Sequence, residues 1–120
     1  MKYTRQTAFD AVKKHLLTQM EKSKSSDSCL YRGPGGLKCA IGALIPDDVY
    51  KPEMDVVDDM RVGQSIRELI VKFPEVAALF PKISPGFLVA LQGIHDLSDT
   101  DHWKFELKNF AIEQRLDYGE

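Results

Sequence analysis

Along the first twenty residues the apolar positions Phe9, Val12, Leu16 and Met20 recur at three- and four-residue steps, the spacing of one helical face. Thr4, with Tyr3 just outside it, is the predicted N-cap of this first helix. The pattern breaks at the polar tract SKSSDS, residues 23–28, which predicts a connecting loop. In CLYRGPGGLKCAIGALIP, which follows, Gly33, Pro34, Gly35 and Gly36 predict a turn between two short extended runs. Pairing Cys29–Arg32 with Leu37–Ala40 across that turn places Leu30 opposite Cys39 and Cys29 opposite Ala40. From Cys39 to Ile45 the residues are small and apolar without alternation, so a short buried helix starting near Cys39 is expected, ended by Pro46.

Residues 47–59 hold six acidic side chains and one lysine around Pro52 and Met54, the composition of an exposed loop or irregular turn. Val62, Ile66, Leu69, Ile70 and Phe73 restore a helical stripe that stops at Pro74, and Glu75–Phe80 read as a short turn closed by Pro81. Ser84 followed by Pro85 is a helix start, a capping hydroxyl before proline at the first helical position, and that helix extends to about Leu97. A second capping region, Ser98–Asp101, opens the last helix. Trp103, Leu107, Phe110 and Gln114 mark one side of it and Phe105, Ile112 and Leu116 the other, which predicts a helix packed on two sides. Residues 117–120 are expected to fray. The pattern predicts an α+β fold, predominantly helical: a bundle of about four to five helices with one short β-hairpin near residues 29–40, in a single domain spanning 1–120.

Composition narrows the class. A chain of 120 residues with 43% hydrophobic and 28% charged residues suits one globular domain. No apolar run approaches the roughly 20 residues needed to span a bilayer. No signal-peptide pattern opens the chain, so a cytoplasmic protein is expected. Two cysteines in a reducing compartment read as free thiols, and the hairpin register places Cys29 and Cys39 on opposite faces. The net charge of −2 is unevenly spread, +5 over residues 1–38 and −7 over the rest, a pattern that two solvated faces explain.

Five chemistries are considered against this background. Cys39 at a helix start, with His95 and Asp96 as base and orienter, has the residue types of a cysteine nucleophile. Adjacent helical residues diverge by about 100°, however, so His95 and Asp96 cannot form a linear triad, and Cys39 reads more simply as core. Gly35 and Gly36, flanked by Arg32 and Lys38, form a candidate cradle for a small anionic ligand such as a nucleotide, although P-loop spacing is missing and hairpin closure explains the same glycines. His15, His95 and His102 lack metal-ligand spacing, and residues 47–59 lack the EF-hand pattern, so no metal or cofactor is expected. Lys2, Arg5, Lys13 and Lys14 give the first helix a basic edge with Tyr31 as a possible stacking face, too sparse a footprint for nucleic acid. Protein binding needs only aromatic and arginine anchors beside a charged rim, which Tyr31, Arg32, Asp47, Tyr50 and Met54 offer around the predicted turns.

The stretches CLYRGPGGLKCAIGALIPDDVYKPEM and FLVALQGIHDL, with Trp103 shortly after, resemble a family of small uncharacterised proteins of bacteriophages and bacteria. The likeness covers about residues 3–118. It runs through Tyr31, Arg32, Gly33, Pro34, Gly36, Lys38, Cys39, Ala40, Gly42, Leu44, Ile45, Pro46, Asp47, Tyr50, Pro52, Glu53 and Met54, then Leu91, Gln92, His95, Asp96 and Trp103. The resemblance implies a host-cell setting and carries no activity with it. By analogy with small phage proteins that lack catalytic signatures, it implies a non-enzymatic protein that binds a host protein or complex, of the host-modulating or anti-defence inhibitor type.

Overall fold

A computed structural model of the chain describes residues 2–25 and 28–119. The first helical stripe forms α1, Arg5–Gln19, and its start is a reciprocal cap: Thr4 Oγ1 accepts from Thr7 N and Thr7 Oγ1 accepts from Thr4 N. Ala8, Phe9, Val12 and Leu16 are buried. Met20 is not, because it closes the helix in left-handed geometry (φ 53°) and leaves the apolar face.

The predicted 23–28 loop contains paired backbone. β1, Lys24–Ser25, runs antiparallel to β2, Ser28–Cys29, and Leu30 N donates to Ser23 O; residues 26 and 27 of that loop lie outside the described residues. The hairpin expected near 29–40 contracts to one antiparallel bridge, Arg32 to Lys38, closed by Gly33 N donating to Leu37 O at 2.8 Å. The register is one residue off the predicted one. Gly35 and Gly36 take φ of 72° and 80°, and the turn uses five residues rather than four. Pairing stops there because the chain bends at once into the helical turn expected from Cys39, where Ala43 N donates to Cys39 O. Gly42 allows this bend to lie directly on the preceding segment: a Cβ there would sit 2.1 Å from Tyr31 O.

The acidic loop is more ordered than its composition predicts. Pro52–Asp55 make a 3-10 turn, and β3, Val56–Val57, pairs with β4, Met60–Arg61, around Asp58 and Asp59, both at positive φ as a two-residue I′ turn requires. Met54 and Asp55 are buried. The predicted helix from Val62 begins only at Ser65, which caps α2, Ile66–Lys72. Val62 N, Gly63 N and Gln64 N donate to Asp55 O, Cys29 O and Met54 O, which holds those residues extended. Pro74 opens a short α3, Pro74–Ala77, where a turn was expected.

α4, Pro85–Leu97, has the predicted bounds, with Ser84 Oγ accepting from Phe87 N. α5, Trp103–Gln114, buries Trp103, Leu107, Phe110 and Ala111, whereas Phe105 and Ile112 are 63% and 75% exposed, so it packs on one side and not two. The tail is tied down rather than frayed: Asp117 exchanges two hydrogen bonds with Gln6, and Lys13 Nζ donates to Tyr118 O. The result is the predicted α+β, predominantly helical class, with five helices and two small antiparallel hairpins among the described residues. The core joins α1, α4, α5 and the 39–45 turn. Phe9 stacks on Phe110, and fully buried Leu16, Leu44, Leu88, Leu91 and Leu107 each contribute about 2 kcal/mol of apolar transfer. Among the described residues no helix is long and apolar enough to cross a membrane.

Candidate functional site

Gln92, His95 and Asp96 stand three and four residues apart on α4, so they share the face turned toward residues 22–41. His95 is fully buried and stacks on Trp103 with ring centroids 5.6 Å apart. Its Nε2 accepts from Ser23 N at 2.9 Å, which assigns the proton to Nδ1, and Nδ1 donates to Asp96 Oδ1 at 2.8 Å. The two neighbours meet through this bond, yet both ring nitrogens are then engaged and no linear triad with Cys39 forms. Gln92 Nε2 also donates to Asp96 Oδ1, while Gln92 Oε1 accepts from Ile41 N. One helix face thus fixes both the Ser23 segment and the start of the 39–45 turn.

Cys29 completes this cluster by hydrogen bonding to Asp96. Burial would raise the Asp96 carboxyl, but the bonds from His95, Cys29 and Gln92 outweigh it and hold the group below its usual range. Burial and then the bond to Asp96 push the Cys29 thiol up to about 12, so at neutral pH it is a thiol rather than a nucleophilic thiolate. Cys39 is buried, its thiol also raised by burial, and its sulfur accepts from Gly42 N. Both nitrogens of His95 are engaged elsewhere, which leaves neither thiol a base.

Sγ of Cys29, a nitrogen of His95 and an oxygen of Asp96 lie within 4.8 Å of one another, a donor set of the kind that holds zinc. The tautomer opposes that use. A metal at Nδ1 requires the ring proton on Nε2, pointed at the Ser23 N–H. The cluster is built to join chain segments with its protons in place. Asp99, Asp101 and His102 form a second group, but all three are exposed. His15 Nε2 is engaged with Lys38 O, and burial lowers its pKa.

Beside the cluster lies a groove of about 630 Å³ between residues 28–31, residues 62–67 and α4, whose contribution is Val89, Gln92, Gly93, Asp96 and Leu97. Cys29 and Cys39 both line it, against the expectation that they occupy opposite faces. Both are free thiols.

The residues expected to form a contact surface divide. Tyr31 is 4% exposed, its OH donating to Gln64 O and its N to Asp55 Oδ1, and Met54 is 0% exposed; neither is available to a partner. Arg32 is mostly buried: it donates to Asp47 Oδ1 and Ile45 O and lies over the Tyr50 ring. Lys38 is 4.0 Å from the same Asp47 oxygen. Gly35 and Gly36 are exposed, but the cations flanking them already share a carboxylate that an incoming anion would have to displace.

Asp55 is the residue that sequence reasoning missed. Fully buried, it accepts from Tyr31 N at 2.8 Å, Arg32 N at 3.1 Å and Tyr50 OH at 2.5 Å. The Tyr50 hydroxyl is correspondingly raised, by burial first and then by this bond. Nothing local distinguishes Asp55 from its acidic neighbours. Gly93 was also passed over, although an interior helix glycine is a signal in itself. Compared with protein-family models, curated proteins and solved structures, the chain matches none, so the site rests on its own geometry.

Proposed function

We propose that the protein is a non-enzymatic binding module that docks onto a host protein through the Val56–Arg61 hairpin and the acidic segment leading to it. One observation carries this reading. Val56, Val57 and Met60 are 42%, 40% and 64% exposed on a hairpin of only two residues per strand. Solvated apolar side chains on one short hairpin, with Val57 and Met60 directly paired across it, are what a partner surface covers. Five of the six carboxylates of residues 47–59 are exposed beside them, all but Asp55, and would steer a basic partner.

The surface is therefore displaced from the one expected around Tyr31 and Met54 toward the hairpin, with Asp47 and the open part of Tyr50 at its edge. The likeness to small phage proteins supports the host cytoplasm as the setting and an inhibitor of a host complex as the role. Cysteine catalysis has less support, because burial holds the Cys39 thiol, like that of Cys29, protonated and both His95 nitrogens are occupied. Anion capture at Gly35 and Gly36 has less support because Asp47 occupies Arg32.

The test is capture from host lysate by wild type, Met60→Asp and Val57→Asp. Both sites are exposed, so the variants keep the wild-type melting temperature. Specific partners recovered by wild type and lost by both variants are the expected result. Identical partner sets would remove the hairpin from consideration.

A further inference from the structure

We propose that the groove along α4 binds an extended peptide segment presenting a lysine or arginine next to a large apolar side chain. The proposal rests on the protein-binding reading and names the chemistry of what is bound at a second place.

Shape is the first argument. Val89, Gly93 and Leu97 recur at four-residue steps, so they form one row along α4, about 12 Å from end to end. That length matches three or four residues of extended chain. Val89 and Leu97 are 42% and 87% exposed, while Gly93 leaves a gap between them. A Cβ built at Gly93 meets nothing nearer than Leu97 Cδ1 at 3.8 Å. The row is raised at its ends and low in its middle, the profile of a seat for one large side chain.

Charge is the second argument. Among the described residues that line the groove Asp96 is the only carboxylate, and its side chain keeps 31% of its surface open. The hydrogen bonds from His95 and Gln92 fix its position and favour its ionised form. Covering the open part of an ionised carboxylate with a neutral or anionic segment costs solvation, whereas an ammonium or guanidinium supplies a charge-assisted bond. Arg67 lies on the facing wall. The groove is also continuous along the chain with the acidic hairpin, because Val62–Gln64 leave β4 and become that wall. A basic segment therefore meets the exposed carboxylates of the hairpin on approach and Asp96 at its seat, with Arg67 as an opposing charge across the groove.

A phage-displayed random dodecapeptide library panned on the immobilised protein tests this. Enriched peptides are expected to share Lys or Arg within two positions of a large apolar residue. The synthetic peptide should bind Asp96→Asn and Gly93→Leu about tenfold more weakly, and binding to Phe105→Ser, on α5, should be unchanged. Gly93→Ala, which adds a single methyl at ordinary contact distance from Leu97, guards against a Leu variant that fails to fold and should still weaken binding several-fold. No enrichment, enrichment of peptides without a basic residue, or affinity unchanged by both Gly93→Ala and Asp96→Asn would overturn the proposal. The two readings fail separately. A groove that selects no basic peptide leaves host capture by the hairpin standing, and host capture indifferent to Met60→Asp leaves the peptide affinity of the groove in place.

Discussion

Asp55 and Asp96 each gather donors from distant parts of the chain, yet one is sealed and the other keeps an outlet. Asp55 is 1% exposed, and three internal donors occupy its oxygens. Asp96 is held by its helix neighbours and Cys29, with 31% of its side chain facing the groove. The sealed carboxylate is spent on architecture, since it fixes Tyr31, Arg32 and Tyr50 around the 3-10 turn. The open one is fixed by architecture and still has a surface to offer. A carboxylate that other side chains hold in place, beside an apolar groove, is preorganised for a cation in a way that the exposed carboxylates of the hairpin are not.

The sharpest way to break this comparison is to remove the sealed group. Asp55→Ala leaves two backbone N–H groups and a tyrosine hydroxyl buried without acceptors, and should cost about 3 kcal/mol or more in urea unfolding. Asp47→Ala, which removes the exposed partner of Arg32, should cost less than about 0.5 kcal/mol. Comparable losses at the two positions would show that Asp55 is not the organising group.

Next in size is the clamp behind Asp96. His95→Phe keeps a ring against Trp103 but deprives Ser23 N of its acceptor and Asp96 of a donor, so a loss of about 2 kcal/mol is expected. The amide of Ser23 should then exchange with solvent faster than that of Leu88 in the core, measured by hydrogen exchange. Unchanged protection at Ser23 would mean that the bond does not hold the segment.

Asp96→Asn should cost about 1 kcal/mol at pH 7, because the amide keeps an accepting oxygen but loses the charge. The folded-state pKa of Asp96 lies below its ordinary 3.8, so its stabilisation is present above that value and is lost as pH falls through the folded one. Wild type and variant should therefore converge in stability as pH falls below the folded-state value. The same substitution removes the negative charge that helps to raise the Cys29 thiol. At pH 8 a thiol-reactive probe should label wild-type Cys29 more slowly than free cysteine, and the Asn variant faster than wild type. Labelling of the wild type as fast as free cysteine would return a reactive thiol to the groove.

α1 and α4 were legible because their signals are local, whereas α3 was read as a turn and α2 as starting at Val62. Thr4, Ser84 and Pro85 mark starts that depend on a few neighbouring residues, and the α1 and α4 stripes are periodic over several turns. The hairpin near 29–40 was only half legible. Its glycines require a turn, but its register depends on Gly42 admitting Tyr31 O at close range, a contact eleven residues away. Asp55 was illegible among five acidic neighbours, because burial comes from Tyr31 and Tyr50 folding over it. Gln92 was visible only as a residue, and His95 and Asp96 only as weak candidates for a base and its orienter. Their partners, Ser23 N and Ile41 N, are backbone groups that no side-chain pattern announces.

The smallest predicted effect has the opposite sign. Gly93 sits inside α4, where glycine is less favourable than alanine by roughly 0.5–1 kcal/mol, and a methyl there meets only ordinary contact with Leu97. Gly93→Ala should therefore raise the unfolding free energy by about that amount while making the groove shallower. At Gly42, by contrast, the same change drives a Cβ into Tyr31 O and should destabilise the fold. A glycine kept where alanine would fit and stabilise is accounted for if the gap itself is used, so greater stability together with weaker peptide binding in Gly93→Ala would join the two halves of the argument. Greater stability with undiminished binding would leave that glycine without a role and reduce the groove to a packing feature.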